Sequence, residues 1–121
     1  MYKVLIFLKR NERLSREEFV EHYETVHRPL AEGHLINLKR YTRRYIQWMT
    51  EPRSGVDQGL DFDVVTEMWF DSREQFDEAM AKISVPPASE ELAADEAQLF
   101  DNSRLIWASV TEYDSDLESG S

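Results

Sequence analysis

Apolar and polar positions follow two rhythms along the 121-residue chain, a strand-like one and a helical one. Tyr2–Leu8 (YKVLIFL) is β-branched and apolar and reads as a buried strand. Ser15 precedes Glu18 by three residues, the spacing at which the hydroxyl takes a free helix N–H and the carboxylate reaches back. The helix it opens carries Phe19, Tyr23, Val26, His27 and Leu30 on one face, with Glu17, Glu21, Glu24 and Arg28 opposite. Pro29 is expected to bend or restart the last turn, and Gly33 to stop it. Leu38–Met49 reads as a long aromatic strand, and Phe62–Phe70 as another. The polar loop between them, Thr50–Asp61, holds Pro52, Gly55 and Gly59 and is expected to be mobile or to act as a lid. Ser72 and Gln75 form a second capping box, opening a helix with Phe76, Ala79, Met80 and Ile83 on one face. Pro86 and Pro87 end any continuation, Ser89–Phe100 reads as a short acidic helix, and Ser103–Tyr113 as the last strand.

The resulting order, βαββαβ with one extra short helix, is the α+β split-βαβ, or ferredoxin-like, arrangement: a four-stranded antiparallel sheet with two helices on one face. Residues 1–113 are expected to form this domain, and 114–121 a frayed acidic tail. In Phe62–Phe70, Phe62, Val64, Met68 and Phe70 point one way and Val65 and Trp69 the other. A sheet apolar on both faces needs a second cover, so a homodimer with facing sheets, a dimeric barrel, is expected.

Composition narrows the function. With 41% apolar residues the chain can build a core, and a net charge of −10 disfavours nucleic acid and anionic membranes as partners. No apolar run approaches the length of a membrane span, and the amino-terminal segment is strand-like, so a cytoplasmic location is expected. With no cysteine there is no disulfide, thiolate metal site or cysteine nucleophile. His22, His27 and His34 lack metal-ligand spacing: on an α-helix His22 and His27 diverge by roughly 140°. Neither a phosphate-cradling glycine loop nor a G-x-S-x-G nucleophile turn is present. Neither a cofactor nor a metal is called for.

The ordered set Ser15–Phe19 (SREEF), His27–Leu30 (HRPL), Tyr41, Glu67–Ser72 (EMWFDS) and Asp95–Phe100 (DEAQLF) resembles the EthD-like family of the dimeric α+β barrel superfamily. That family is related to muconolactone isomerases and polyketide cyclases. The resemblance implies a cofactor-free lyase, cyclase or isomerase acting on a small aromatic, polyketide-derived or lactone-like compound. The methylmuconolactone methylisomerases are similar in the first strand, first helix and WF strand. Their active-site pattern falls on His27 and Tyr41, but puts Met68 where those enzymes have cysteine and finds no second histidine.

His27, on the apolar helix face, is the candidate acid or base, because an imidazole exchanges protons near neutrality. The same position suits a buried histidine bonded to backbone. Tyr41 is the candidate oxyanion donor. Tyr45 and Arg43 share its strand face, and an arginine there would hold a carboxylate. Glu67 would orient His27 if its face meets the helices, or pair with Arg40, Arg43 or Arg44. Trp69 would be a flat wall for an aromatic ligand, and Tyr23 a second wall or plain core. The alternative to an enzyme is an accessory protein holding a small hydrophobic or aromatic ligand in the same pocket.

Overall fold

The computed structural model describes residues 1–57 and 61–118. The elements run β1 (Tyr2–Leu8), α1 (Arg16–His22), a π-helical turn (Tyr23–His27), α2 (Arg28–His34), β2 (Arg40–Tyr45), β3 (Val64–Phe70), α3 (Arg73–Ile83), α4 (Ala88–Leu99) and β4 (Ile106–Val110). The strands form one antiparallel sheet in the order β2-β3-β1-β4, which is the ferredoxin-like topology. No helix among the described residues is long and apolar enough to cross a membrane.

Alternation decides which side of the sheet the helices cover. Val4, Ile6 and Leu8 of β1 and Val64, Thr66, Met68 and Phe70 of β3 are buried. The register places Ile6 beside Thr66 on one side and Trp107 on the other, so these side chains share one face. Phe19, Tyr23, Ala79, Leu99 and Phe100 close the core from the helical layer. Phe19 is 1% exposed, and truncating such a ring to alanine costs about 3–5 kcal/mol.

The capping box at α1 forms in both directions: the Glu18 amide donates to Ser15 Oγ at 3.1 Å, and the Ser15 amide donates to Glu18 Oε1 at 2.8 Å. At α3 it forms in one direction. The Gln75 amide donates to Ser72 Oγ at 3.2 Å, whereas the Gln75 side-chain oxygen is buried without a partner among the described residues.

Strand boundaries are shorter than the aromatic runs suggest. The ladder of β2 ends at Tyr45, with one further bond from the Ile46 amide to the Asp63 carbonyl at 2.9 Å. Beyond it Trp48 meets its neighbour through its indole, which donates to the Phe62 carbonyl at 2.7 Å. Strand β3 starts at Val64, and just before it the Asp63 side chain accepts the Arg10 amide at 2.9 Å. As an edge strand, β4 pairs with β1 alone, from Lys3–Val110 to Phe7–Ile106. In the loop expected to be mobile, the Glu51 carboxylate accepts the Arg53 and Ser54 amides and ties a turn, while residues 58–60 lie outside the described residues.

The first helix departs furthest from a regular α-helix. At its centre the Arg28 amide bonds to the Tyr23 carbonyl, five residues back. Pro29 explains the widening. Its ring would meet the carbonyl four residues earlier in a regular α-helix, and it has no amide to donate. The Glu24 carbonyl, which thereby loses both backbone donors, accepts Arg28 Nε at 2.9 Å. The apolar stripe shifts in consequence: Val26, expected inside, is 45% exposed, and Glu24, expected in solvent, packs against β2.

Candidate active site

Helices and sheet enclose a mostly apolar cavity of about 80 Å³. Tyr23, His27 and Ala31 line it from the first helix, Leu92 and Glu96 from α4, and Ile6, Tyr41, Thr66, Met68 and Trp107 from the sheet. An apolar cavity of about 150 Å³ takes one benzene ring, so this one, at about half that volume, admits a single ring only with some give in its walls. Met68 and Met80 on the wall provide that give, being unbranched and adaptable.

His27 is 6% exposed and packs edge-on against Tyr23 and Phe100. Its Nδ1 lies 2.9 Å from Asp95 Oδ2, while Asp95 Oδ1 lies 2.7 Å from His22 Nε2. One carboxylate of α4 therefore holds two imidazoles of the first helix. Burial pushes the His27 pKa down, and the hydrogen bond and charge of Asp95 pull it partly back. At neutral pH the ring is thus neutral. With Nδ1–H donated to Asp95, the lone pair sits on Nε2, which no hydrogen bond occupies among the described residues.

The π turn makes this triad. On an α-helix His22 and His27 point apart, but a turn closed by five-residue hydrogen bonds sets the fifth residue nearly over the first, so both rings reach one carboxylate. This corrects the 140° divergence read from the sequence. Among the described residues no group of three or more histidines and acids is arranged to hold a metal. His34 repeats the pattern one helix on, pairing with Glu91 of α4.

Tyr41 stands across the cavity. Its hydroxyl is 3.4 Å from that of Tyr23, which is 2.6 Å from Thr66 Oγ1. Burial raises the pKa of both phenols, so they remain protonated and able to donate. His27, Tyr41 and Tyr23 are thus brought together. The other expected residues are not. Arg43 forks onto Glu24, Nε to Oε2 at 2.9 Å and Nη2 to Oε1 at 2.7 Å, and Tyr45 donates to the same carboxylate at 2.6 Å. Neither lines the cavity, and the Arg43 bond holds the Glu24 pKa down.

Glu67 and Trp69 lie on the far side of the sheet. Burial alone would raise the Glu67 pKa, but hydrogen bonds from the Trp69 indole and Arg44 outweigh it and leave the pKa lowered. Trp69 is sandwiched between Lys3, 3.9 Å from the ring, and Arg40, 4.8 Å away. The orienting carboxylate is therefore Asp95, not Glu67, and the aromatic wall is Trp107, not Trp69. Strand pairing with Ile6 would have found Trp107, but pairing is not visible in one strand's own alternation.

A model of the EthD domain matches residues 11–103. The chain belongs to the EthD family. Solved structures agree on the fold of this EthD-family chain. An EthD-family protein from Bacillus halodurans is 19% identical, with a TM-score of 0.61, over 93% of this chain and 100% of that one. HapK from Hahella chejuensis is 10% identical, with a TM-score of 0.60, over 95% of this chain and 99% of its own. A dimeric ferredoxin-like protein of unknown function from Thermobifida fusca is 16% identical, with a TM-score of 0.58, over 92% and 90% of the two chains. No curated protein gives a significant sequence match.

Proposed function

We propose that this EthD-family protein is a cofactor-free enzyme of lyase or isomerase type that removes a proton beside the carbonyl of a small aromatic, polyketide-derived or lactone-like compound. The observation that carries this reading is the His27 ring, buried on an apolar cavity wall with Nδ1 held by Asp95. A neutral imidazole in that setting is a base with one free nitrogen. Tyr41, with Tyr23 behind it, supplies a phenol for the enolate oxygen. The low-dielectric wall strengthens both interactions.

The test is exchange of α-protons into deuterated water, followed by proton NMR on cyclohexanone, acetophenone and δ-valerolactone. Catalysed exchange that disappears in His27→Gln supports the base. No catalysis with any of these compounds would overturn it, and saturable binding without exchange would make the protein a ligand-holding accessory instead.

The reading includes a cytoplasmic homodimer. The Thermobifida fusca neighbour is described as dimeric, and on the face away from the helices Ile106 is 50% exposed, beside Leu5, Phe7 and Val65. Light scattering at micromolar concentration should return twice the chain mass; a monomer would remove this part.

A further inference from the structure

Besides His27, the cavity wall carries Glu96, one residue beyond Asp95 on α4. The fold treats these neighbouring carboxyls differently. Asp95 is held between two imidazoles. Glu96 is half-buried among apolar side chains, and among the described residues no hydrogen bond or ion pair reaches its carboxyl. A partnerless carboxyl in an apolar wall costs stability and contributes no contact in return. Burial, and after it the charge of Asp95, raises its pKa, the reverse of the direction at His27. The fold thus moves the two groups toward each other, His27 toward the neutral base and Glu96 toward the neutral acid.

We propose that Glu96 is the proton donor opposed to His27, and that the pair moves a proton between two carbons of a monocyclic β,γ-unsaturated ketone or lactone. This rests on the reading of His27 as a base. His27 Nε2 takes the α-proton. The C–H pair becomes a C=C bond, and the carbonyl pair moves onto oxygen, where Tyr41 donates. Glu96 then gives its proton to the γ-carbon, the former C=C pair forming that C–H bond as the carbonyl re-forms. One proton leaves the substrate and one returns, giving the conjugated isomer. The imidazolium proton passes back to the Glu96 carboxylate through water near Asn102, which borders both the cavity and the polar surface depression outside it.

The probe is 3-cyclohexen-1-one, whose conjugated product is followed in the ultraviolet while α-exchange is followed by NMR in deuterated water. In Glu96→Gln, isomerisation should fall about 10²-fold more than α-exchange does. In Glu96→Ala, added acetic acid should restore isomerisation with saturation. Equal loss of both reactions, no loss of either, or failure of Glu96→Gln to fold would overturn the proposal, the last because it would make the carboxyl structural. Wild-type exchange without isomerisation defeats Glu96 alone; no wild-type exchange defeats the His27 reading first.

Discussion

The two faces of the sheet use similar side chains to opposite ends. Away from the helices, Glu67 meets Arg44 and the Trp69 indole, and Trp69 is flanked by Lys3 and Arg40. Each charge there has a partner, and Glu67 is held in its ionised form. Beneath the helices, burial acts against charge: His27 is pushed toward neutral imidazole, Glu96 toward the neutral acid, and Tyr23 and Tyr41 away from phenolate. Paired charges lock a surface in place, whereas groups kept near neutrality in an apolar wall can pass protons. Residue type therefore says little about reactivity here, and the face on which a residue stands says much.

The largest break in this contrast should come from His27→Gln, which removes the base while keeping size and polarity. Rate should fall about 10²–10⁴-fold with the fold intact by circular dichroism. Unchanged turnover would remove His27 from catalysis, and unfolding would return it to the core.

Asp95→Asn should cost less, about 10- to 10²-fold, the usual effect of losing the group that orients an imidazole. It also has a signature of its own. Asp95 raises the His27 pKa against burial, so its loss lets the ring titrate at lower pH. The acid limb of the rate profile, where protonation silences the base, should shift downward, as should the His27 titration seen by NMR. An upward shift would contradict the assignment.

Tyr41→Phe should slow turnover about tenfold and change stability by no more than about 1 kcal/mol, since the lost bond to Tyr23 is long and Tyr23 keeps Thr66. A thermal melt alongside kinetics separates the two effects. The smallest change in rate should come from the outer face. Glu67→Gln should leave α-exchange within about twofold while lowering stability by about 1–2 kcal/mol, because Arg44 and the Trp69 indole lose their charged acceptor. A large rate loss would bring the outer face into the site.

Stability should carry the same imprint. The His27 pKa is lowered on folding, so its contribution is complete above the ordinary imidazole value of about 6.5 and is lost as pH falls through the folded value. Denaturant titrations of wild type and His27→Gln below and above that value should converge as pH falls.

Much of the fold could be read before any coordinates. Alternation in β1 and β3, the Ser15–Glu18 box and the aromatic run of β2 depend on local spacing, and the ordered motifs pointed to the EthD family. His27, Tyr23 and Tyr41 were also legible, since helical stripe and strand alternation put them toward one interior. Asp95, Glu96 and Trp107 were not. Asp95 reaches His27, and Glu96 and Trp107 reach the cavity, from α4 and β4, the last elements in the chain, and only pairing across the sheet and docking of α4 set their direction. Glu67 and Trp69 were misassigned for the same reason: one strand shows which residues share a face but not which face meets the helices.

The π-helical turn Tyr23–His27 makes the length of the first helix a matter of counting. Such a turn is an α-helical turn with one residue added. The added residue is taken up inside the turn, and the helix on either side keeps its phase. Each residue advances an α-helix by about 100°, so with one of these five positions deleted Phe19 and His27 would stand seven residues apart, close to two whole turns, and a regular helix would still carry both on one face. An alignment gap inside these five positions would thus mark a tolerated shortening, whereas the same gap within α1 or α2 would turn one flank by about 100° against the other.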